Sequence, residues 1–383
     1  MIYLDAASTA KYTNVDDIIV NTMTTAMRDS WMNPSSLYAV GVKNKINKCR
    51  ANIADFIGAK PEEIYFTSGA SESNNWCIRG WVDAKLETSL HMLNVITTPI
   101  EHKSILDAVK NKNLCACTYY CDVDEYGHVD CDSLKNLLSR NEYGSTLVSI
   151  QFANNEIGTI QDIEKIANIV HEYDGVLHVD ATQALGHFPI DVEVLGIDMM
   201  SCSGHKISPV LRGVGFLYKR NGVEIKPLIY GAQEQGLRGG TENTYGILGL
   251  NKAVEHCDIS SKKITELINK RNYFMEFLVF KFGCKLNGDI DNRLPNNINV
   301  TFQQNITGES LLYMLDISNI KISTSSACNS RAIEPSHVLK SIGLSDDDAM
   351  KTVRFTLPDD ITYEEIDNVV EEIDKAIKLI ELN

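Results

Sequence analysis

Short apolar segments alternate with amphipathic stretches through the first two thirds of the chain. The apolar runs have the length of buried strands, and small or polar residues bound them. The strands expected on this basis are 63–67, 93–97, 146–152, 176–179, 198–202 and 213–218. Apolar residues recur at helical spacing over 16–29, 42–57, 246–257 and 261–282. This alternation predicts an α/β fold in which helices flank a mostly parallel central sheet.

The last third of the chain has a different pattern, with shorter apolar runs. They predict strands at 297–302, 320–323 and 352–357, and helices at 309–317, 336–342 and 363–382. We therefore expect a second, smaller α+β domain. The predicted division is a large domain over 15–257 and a small domain that combines 1–14 with 258–383.

Polar side chains follow the buried strands of the large domain. Asp180 comes directly after the strand 176–179, and Lys206 follows the strand 198–202 after three small or polar residues. Ligands of open α/β sheets bind beyond the carboxyl ends of the strands, so we expect a site at this edge. The segment between Asp180 and Lys206 is long enough for one helical crossover.

Composition and charge narrow the class of function. The chain has 383 residues, is 44% hydrophobic and carries a formal net charge of −15, which argues against sequence-independent binding to nucleic acid. No apolar run is long enough to span a bilayer, and the N-terminus lacks a basic region followed by an apolar stretch, so we expect a cytoplasmic protein.

The ten cysteines do not indicate a disulfide framework, because they are spread over a large chain without a secretion signal. Four of them form a local cluster: Cys115, Cys117, Cys121 and Cys131. They lack the paired spacing of a zinc site and are expected to be buried as small hydrophobic residues. No metal site is predicted.

Lys206 is the first candidate for chemistry. A lysine amine in a dry pocket can form a Schiff base with a carbonyl, which is how pyridoxal 5'-phosphate is anchored, although a lone lysine is more often a solvated surface charge. Such a site also needs a carboxylate on the ring nitrogen, to which Asp180 is suited unless it is only a helix cap. Gln183 could bind the phenolic oxygen of the ring.

Two further segments suit the same ligand. The small-residue turn 68–75, between a strand and a helix, leaves backbone N–H groups for a phosphate, and an ordinary capped helix start explains it equally well. His102 could stack on the ring or relay protons. The alternative for His102 is an exposed histidine near a helix start.

Cys328 and Arg354 are candidates in the small domain. Cys328 lies in a run of small polar residues, where an exposed thiol could act as a nucleophile or remain an unreactive surface cysteine. Arg354 lies in the apolar strand 352–357 and suits bidentate capture of a carboxylate. A buried structural salt bridge would explain Arg354 as well.

Ten motifs, in order along the chain, resemble those of cysteine desulfurases of the NifS/IscS type, which belong to the class V aminotransferase group of fold-type I pyridoxal phosphate enzymes. They lie at 3–9, 33–36, 67–75, 101–104, 154–158, 178–183, 203–206, 238–243, 326–328 and 353–355. Any one of them alone could be chance. Together they cover nearly the whole chain.

The resemblance implies a role for each candidate residue. Lys206 would be the Schiff-base lysine, Asp180 would hold the pyridine nitrogen, and Gln183 the phenolic oxygen. His102 would stack on the ring, and Cys328 would accept the sulfur. The residues implied at the phosphate are Ala70, Ser71, Ser203, His205 and, from the neighbouring subunit, Thr241. The residues implied at the substrate carboxylate are Arg354 and Asn155, the latter also in contact with the cofactor.

The implied enzyme is a homodimer that converts L-cysteine to L-alanine and forms a persulfide on Cys328. An acceptor protein, either a scaffold or a thiolation enzyme, would receive this sulfur for iron–sulfur clusters or for thiolation of tRNA or cofactors. Neither nucleic acid nor a membrane is expected as a direct partner. The alternatives are a selenocysteine lyase, another class V enzyme that acts on a small amino acid, and a sulfur-relay binding protein without activity.

Two segments depart from the family pattern. The stretch 207–215 lacks the first glycine that usually follows the lysine and is one residue longer, so we expect a rearranged backbone there. The stretch 324–328 lacks the usual glycine before the cysteine, so we expect a stiffer loop.

Overall fold

The computed structural model describes residues 1–88, 92–140, 145–324 and 335–382. Within these ranges, thirteen strands are found. In chain order they are β1 (Ile2–Tyr3), β2 (Ile64–Thr67), β3 (Leu93–Thr97), β4 (Cys117–Tyr120), β5 (Ser145–Gln151), β6 (Val176–Asp180), β7 (Met199–Ser203), β8 (Gly215–Lys219), β9 (Lys285–Leu286), β10 (Asn297–Thr301), β11 (Ile320–Lys321), β12 (Ser323–Thr324) and β13 (Thr352–Thr356).

The helices, in chain order, are α1 (Asn14–Asp29), α2 (Val40–Phe56), α3 (Ala70–Thr88), α4 (Lys103–Val109), α5 (Cys131–Ser139), α6 (Ile163–Glu172), α7 (Thr244–Glu255), α8 (Ser261–Glu276), α9 (Gly308–Ile317), α10 (His337–Ser341), α11 (Asp346–Met350) and α12 (Tyr363–Glu381). Side chains at the residue before the helix satisfy first-turn N–H groups, as Asp130, Asp162, Asn243 and Ser260 do for α5, α6, α7 and α8. These polar residues therefore fix where each helix begins.

A seven-stranded sheet in the order β2-β8-β7-β6-β5-β3-β4 forms the larger part of the molecule. The strands β3 to β7 pair in parallel, and β8 runs antiparallel to both of its neighbours. Apolar residues of α2, α6 and α7 pack on one face, and those of α3 and α4 pack on the other. The predicted α/β class, with a mostly parallel sheet between helices, is confirmed.

The connection before Lys206 is long enough for a helical crossover, but it contains no helix. The chain joins β6 to its parallel neighbour β7 through successive turns over 181–198, and none of these residues is helical. Gly186 and Gly196 have φ values of 91° and 67°, and Pro189 cannot donate a backbone hydrogen bond within a helix. A tight series of turns therefore replaces the helix.

The smaller part is built on the four-stranded antiparallel sheet β12-β13-β10-β9. Strand β1 pairs in parallel with β11, and Asp5 forms an isolated bridge with Thr356, so the N-terminal segment joins this part. The predicted single strand 320–323 is divided into β11 and β12, which pair with different partners. The domain boundary at residue 257 stays a prediction.

The local cysteine cluster does not share one environment. Cys121 is buried, Cys117 and Cys131 are partly exposed, and Cys115 is exposed and has a φ of 50°. The expectation of burial is therefore confirmed for Cys121 and only partly met for Cys117 and Cys131. It is wrong for Cys115, because strand β4 begins only after it.

Among the helices of the described ranges, none has the length and apolar character needed to cross a membrane.

Candidate active site

A cavity of about 610 Å³ lies where β5, β6 and β7 end. Residues that follow these strands line it together with the start of α3, the N-terminal segment and one residue of β13. Ten of the predicted site residues are among its walls: Ala70, Ser71, His102, Asn155, Asp180, Gln183, Ser203, His205, Lys206 and Arg354. The parallel strands bring these side chains together because their carboxyl ends meet at one edge of the sheet.

Two predicted residues do not line this cavity. Thr241 lies in the wall of a separate cavity of about 180 Å³, together with Ser68, Gly213 and Arg238. Cys328 lies outside the described residues.

Lys206 ends a short 3₁₀ turn that follows β7 directly. Its Nζ donates to the carbonyl oxygen of Ala7 at 2.6 Å and to that of Ser8 at 2.9 Å. The backbone N–H of Ala10 donates to the carbonyl oxygen of His205 at 3.1 Å. The N-terminal segment therefore lies across the lysine and completes this wall of the cavity.

Asp180 is the last residue of β6 and is 6% exposed. Its Oδ2 accepts a hydrogen bond from Asn74 Nδ2 at 2.8 Å, and its Oδ1 accepts from the backbone N–H of Thr182 at 3.0 Å and from the Thr182 hydroxyl. These donors hold the carboxylate at the cavity wall, where it can accept a hydrogen bond from a protonated ring nitrogen.

The start of α3 and the turn after β7 form the other end of the cavity. A side chain at Gly69, where φ is 145°, would place Cβ 3.2 Å from Ser203 Oγ, and one at Gly215 would place it 2.4 Å from the carbonyl oxygen of Cys202. The backbone therefore approaches closely here, and the α3 N-terminus faces small residues, which suits an anion. Ser203 Oγ lies 2.8 Å from His205 Nδ1.

His205 and His102 have pKa values below that of an ordinary histidine. The pKa of His205 is lowered to about 4, chiefly by burial and also by the charges of Lys206 and Arg212. His102 is exposed to the cavity, yet the walls around it desolvate the ring enough to lower its pKa. Both rings are therefore neutral near pH 7.

Arg354 is ion-paired inside the protein. Its Nη2 lies 2.6 Å from Asp5 Oδ1 and donates to Ser8 Oγ at 2.9 Å, and its Nη1 donates to the carbonyl oxygen of Asn155 at 3.0 Å. The structural salt bridge that was an alternative for Arg354 therefore exists, and the same guanidinium lines the cavity. Gln183 Nε2 donates to the carbonyl oxygen of Ala7 at 3.1 Å.

The segment 207–215 forms a compact turn beside Lys206. Ser208 donates its backbone N–H to Gly204 and its hydroxyl to Asp16, and buried Leu211 packs against Gly204. Arg212 then reaches the cavity wall. Apart from the unusual length of the segment, nothing in the sequence indicated that Arg212 would line the cavity. Four further site residues were not predicted, because their contacts form only in the folded protein: Asp5, Asn74, Ser104 and Thr182.

Comparison with known proteins gives concordant matches. The family described as aminotransferase class-V matches residues 2–369. A Methanosarcina thermophila protein named cysteine desulfurase IscS is 41% identical over an alignment of 391 positions, which covers 98% of this chain and 92% of that protein. A Nostoc protein named cysteine desulfurase is 38% identical over an alignment of 387 positions, which covers 99% of this chain and 93% of that protein.

Two solved structures are similar over almost their whole length. A structure described as a NifS-like protein has a TM-score of 0.88 and 32% sequence identity, and the match covers 100% of both chains. A structure described as SspA in complex with cysteine has a TM-score of 0.80 and 35% identity, and the match covers 94% of this chain and 99% of that one.

Proposed function

This chain belongs to the aminotransferase class-V family. From its similarity, over nearly its full length, to proteins named cysteine desulfurase, we infer that it is a cysteine desulfurase, which converts L-cysteine to L-alanine and takes up the sulfur. The observation that carries the inference is the single cavity in which an amine, a carboxylate and a guanidinium converge, from Lys206, Asp180 and Arg354.

We propose that the cavity binds pyridoxal 5'-phosphate. Its volume lies within the roughly 300–1,000 Å³ that small-molecule sites occupy. Lys206 would hold the aldehyde end, Asp180 the ring nitrogen, and Gln183 the phenolic oxygen. The residues suited to the phosphate are Ala70 and Ser71 at the α3 N-terminus with Ser203 and His205, and Thr241 from a second subunit. When bound, this cofactor withdraws electrons from the α-carbon of an amino acid.

The residues of the chain then have distinct tasks. Arg354 and Asn155 bind the carboxylate of L-cysteine and fix which face of the substrate meets the lysine. The Lys206 amine takes the α-proton, because it lies at the end of the turn that faces the cavity. Asp180, held by Asn74 and Thr182, would keep a proton on the ring nitrogen of the bound cofactor. His102 would stack on the ring.

We propose Cys328 as the sulfur acceptor. The C–S bond of L-cysteine breaks as an S–S bond forms to the Cys328 thiolate, and the electron pair of the broken bond stays on the substrate carbon. That carbon takes a proton and leaves as L-alanine, so the enzyme keeps one sulfur atom as a persulfide. A thiol of an acceptor protein, either a scaffold or a thiolation enzyme, then receives this sulfur.

We also propose that the enzyme is a homodimer. Leu37, Tyr38 and Tyr230 are 96%, 77% and 81% exposed, a large apolar area for a surface. Their loops adjoin, since Gln233 Nε2 donates to Ser35 Oγ at 3.5 Å. We propose that a second copy covers these residues and contributes its Thr241 to the cavity, since Thr241 of the same chain lines another one.

The activity is tested with the Cys328→Ser variant. In the absence of added thiol, we expect this variant to release sulfide from L-cysteine far more slowly than the wild type. The same rate in both proteins would exclude Cys328 as the sulfur acceptor. Turnover of L-cysteine, selenocysteine and L-alanine, measured side by side, separates a desulfurase from a selenocysteine lyase or another enzyme of the family.

A further inference from the structure

A continuous series of hydrogen bonds joins Asp180 to His102 through two residues of neighbouring helices. Asn74 on α3 donates through Nδ2 to Asp180 Oδ2 at 2.8 Å and to Ser104 Oγ at 2.9 Å. Ser104 Oγ in turn lies 2.8 Å from Nδ1 of His102, and Ser104 lies in the first turn of α4. Asp180, which would hold the ring nitrogen of the proposed cofactor, is therefore linked through Asn74 and Ser104 to His102, which would stack on that ring.

The donor in each of these bonds is fixed by chemistry. A carboxylate only accepts, so the amide nitrogen of Asn74 faces Asp180, and its second proton is available to Ser104. Because Ser104 Oγ accepts from Asn74, its own proton is free for His102. The backbone N–H of Ser104 also donates to His102 Nδ1, at 3.1 Å. Nδ1 is thus an acceptor for two donors and carries no proton.

Asn74 is costly for the protein to bury. The residue is 0% exposed, and its Oδ1 is buried without a hydrogen-bond partner among the described residues. An unsatisfied amide oxygen is unfavourable, and a hydrophobic residue of similar size would avoid it. The two N–H groups of Asn74, which donate to Asp180 and Ser104, therefore explain why an asparagine is buried at this position.

We propose that Asn74 and Ser104 are positioning residues for His102: they keep Nδ1 unprotonated, so that the neutral ring carries its single proton on Nε2 and keeps a fixed orientation. This inference rests on the proposed function for the place of His102 over the cofactor. No hydrogen bond to Nε2 is found among the described residues, and His102 lines the cavity, so Nε2 is the nitrogen available to a bound molecule.

The same arrangement disfavours the imidazolium. A second proton must go onto Nδ1, where it would disrupt both hydrogen bonds from Ser104. Desolvation, the largest influence, also lowers the pKa of His102. Four charged or titratable groups act on the ring from the elements around it, of which Asp180 and Asp107 favour the cation while Lys206 and His337 disfavour it. A neutral ring avoids repulsion with the Lys206 amine.

The tautomer of His102 is directly measurable by ¹⁵N NMR of histidine-labelled full-length protein, with cofactor bound and after its removal, with His102→Gln to assign the signal. We expect Nδ1 to show the shift of an unprotonated nitrogen and Nε2 that of a protonated one. In Ser104→Ala we expect a mixture of tautomers and a raised pKa, because the neutral form loses one donor. Asn74→Ala should act in the same direction.

Two further variants separate positioning from general damage. Ser104→Thr keeps the hydroxyl and should restore the wild-type signal. Asn75→Ala removes the neighbouring amide, which donates to the carbonyl oxygens of Ser71 and Ser104 but not to the hydroxyl, and should leave His102 unchanged. In turnover assays, Ser104→Ala should lower kcat about three- to tenfold, the effect of one hydrogen bond, and move the acid limb of the pH profile to higher pH.

The result that would overturn the inference is a wild-type His102 with its proton on Nδ1, or a Ser104→Ala signal identical to that of the wild type. Failure of the inference and failure of the proposed function are distinguishable, because the NMR signals require no turnover. A protein without desulfurase activity would still report its tautomer, and an active desulfurase with the other tautomer would refute only the roles of Asn74 and Ser104.

Discussion

The Asp5 carboxylate lies 2.6 Å from Nη2 of Arg354, although the two residues are 349 positions apart in the chain. The Arg354 side chain is 7% exposed and that of Asp5 is 21% exposed, so the pair is largely shielded from water. Asp5 is the counter-ion of the arginine in the absence of substrate. The ion pair fastens the N-terminal segment, which crosses Lys206, to strand β13.

Asp5→Asn tests the stabilising part of this contact. The amide keeps the shape but removes the charge opposite a buried guanidinium, and we expect the free energy of unfolding to fall by about 1–3 kcal/mol. Chemical denaturation at neutral pH measures this change. The control is Asp360→Asn, at the more exposed ion pair with Lys11, where the change should be below about 1 kcal/mol. Equal effects of both substitutions would contradict the account.

Lys206→Ala is expected to abolish the covalent link between protein and cofactor. Borohydride reduction of the wild type should fix pyridoxal phosphate on the peptide that contains Lys206, and mass spectrometry should find no such adduct in the variant. Lys103→Ala, at an exposed lysine beside His102, is the control and should keep the adduct. An adduct on another lysine of the wild type would show that the lysine is wrongly assigned.

Because His178 is buried, we expect the folded protein to lose stability in mild acid. The ring is 0% exposed between Ser149 Oγ at 2.8 Å and Ser201 Oγ at 2.9 Å, and burial lowers its pKa to about 4. Below pH 6.5 the unfolded chain binds a proton that the folded chain does not, so stability falls as pH falls towards 4.

The contribution of His178 is measured by comparison with His178→Gln. Between pH 7 and pH 5 the free energy of unfolding of the wild type should fall by about 2 kcal/mol more than that of the variant, which has no titrating ring. Denaturant titrations at the two pH values give both differences. If the free energy of unfolding fell by the same amount in both proteins, the pKa of His178 would not be lowered in the folded state, which would contradict the prediction.

A charged substitution on the exposed apolar surface formed by Leu37, Tyr38 and Tyr230 tests the proposed dimer. Tyr230→Glu places a carboxylate where a second copy would exclude water, so we expect sedimentation to show a monomer and turnover to fall at least about tenfold. Tyr313→Glu, on the exposed side of α9 in the smaller part, is the matched control and should remain a dimer. A wild type that sediments as a monomer would refute the proposal.

The edge of the sheet that carries the cavity was predictable from the sequence, because buried parallel strands are apolar runs that end in polar residues such as Asp180. The contacts that the site residues make with one another were not predictable. Asp5 meets Arg354 only through the pairing of the chain's two extremities, and no local pattern encodes it. The link from Asn74 to Ser104 depends on how α3 packs beside α4. The non-helical connection before β7 was missed because length alone cannot distinguish a helix from a series of turns.

The central claim is that this enzyme moves the sulfur of L-cysteine onto its own Cys328. The most direct measurement is a single turnover with L-cysteine and pyridoxal 5'-phosphate without added thiol, followed by quantification of L-alanine and by mass spectrometry of the Cys328 peptide. The account predicts one L-alanine for each sulfur atom added to that peptide. Formation of L-alanine with an unmodified Cys328, or of a persulfide without L-alanine, would contradict it.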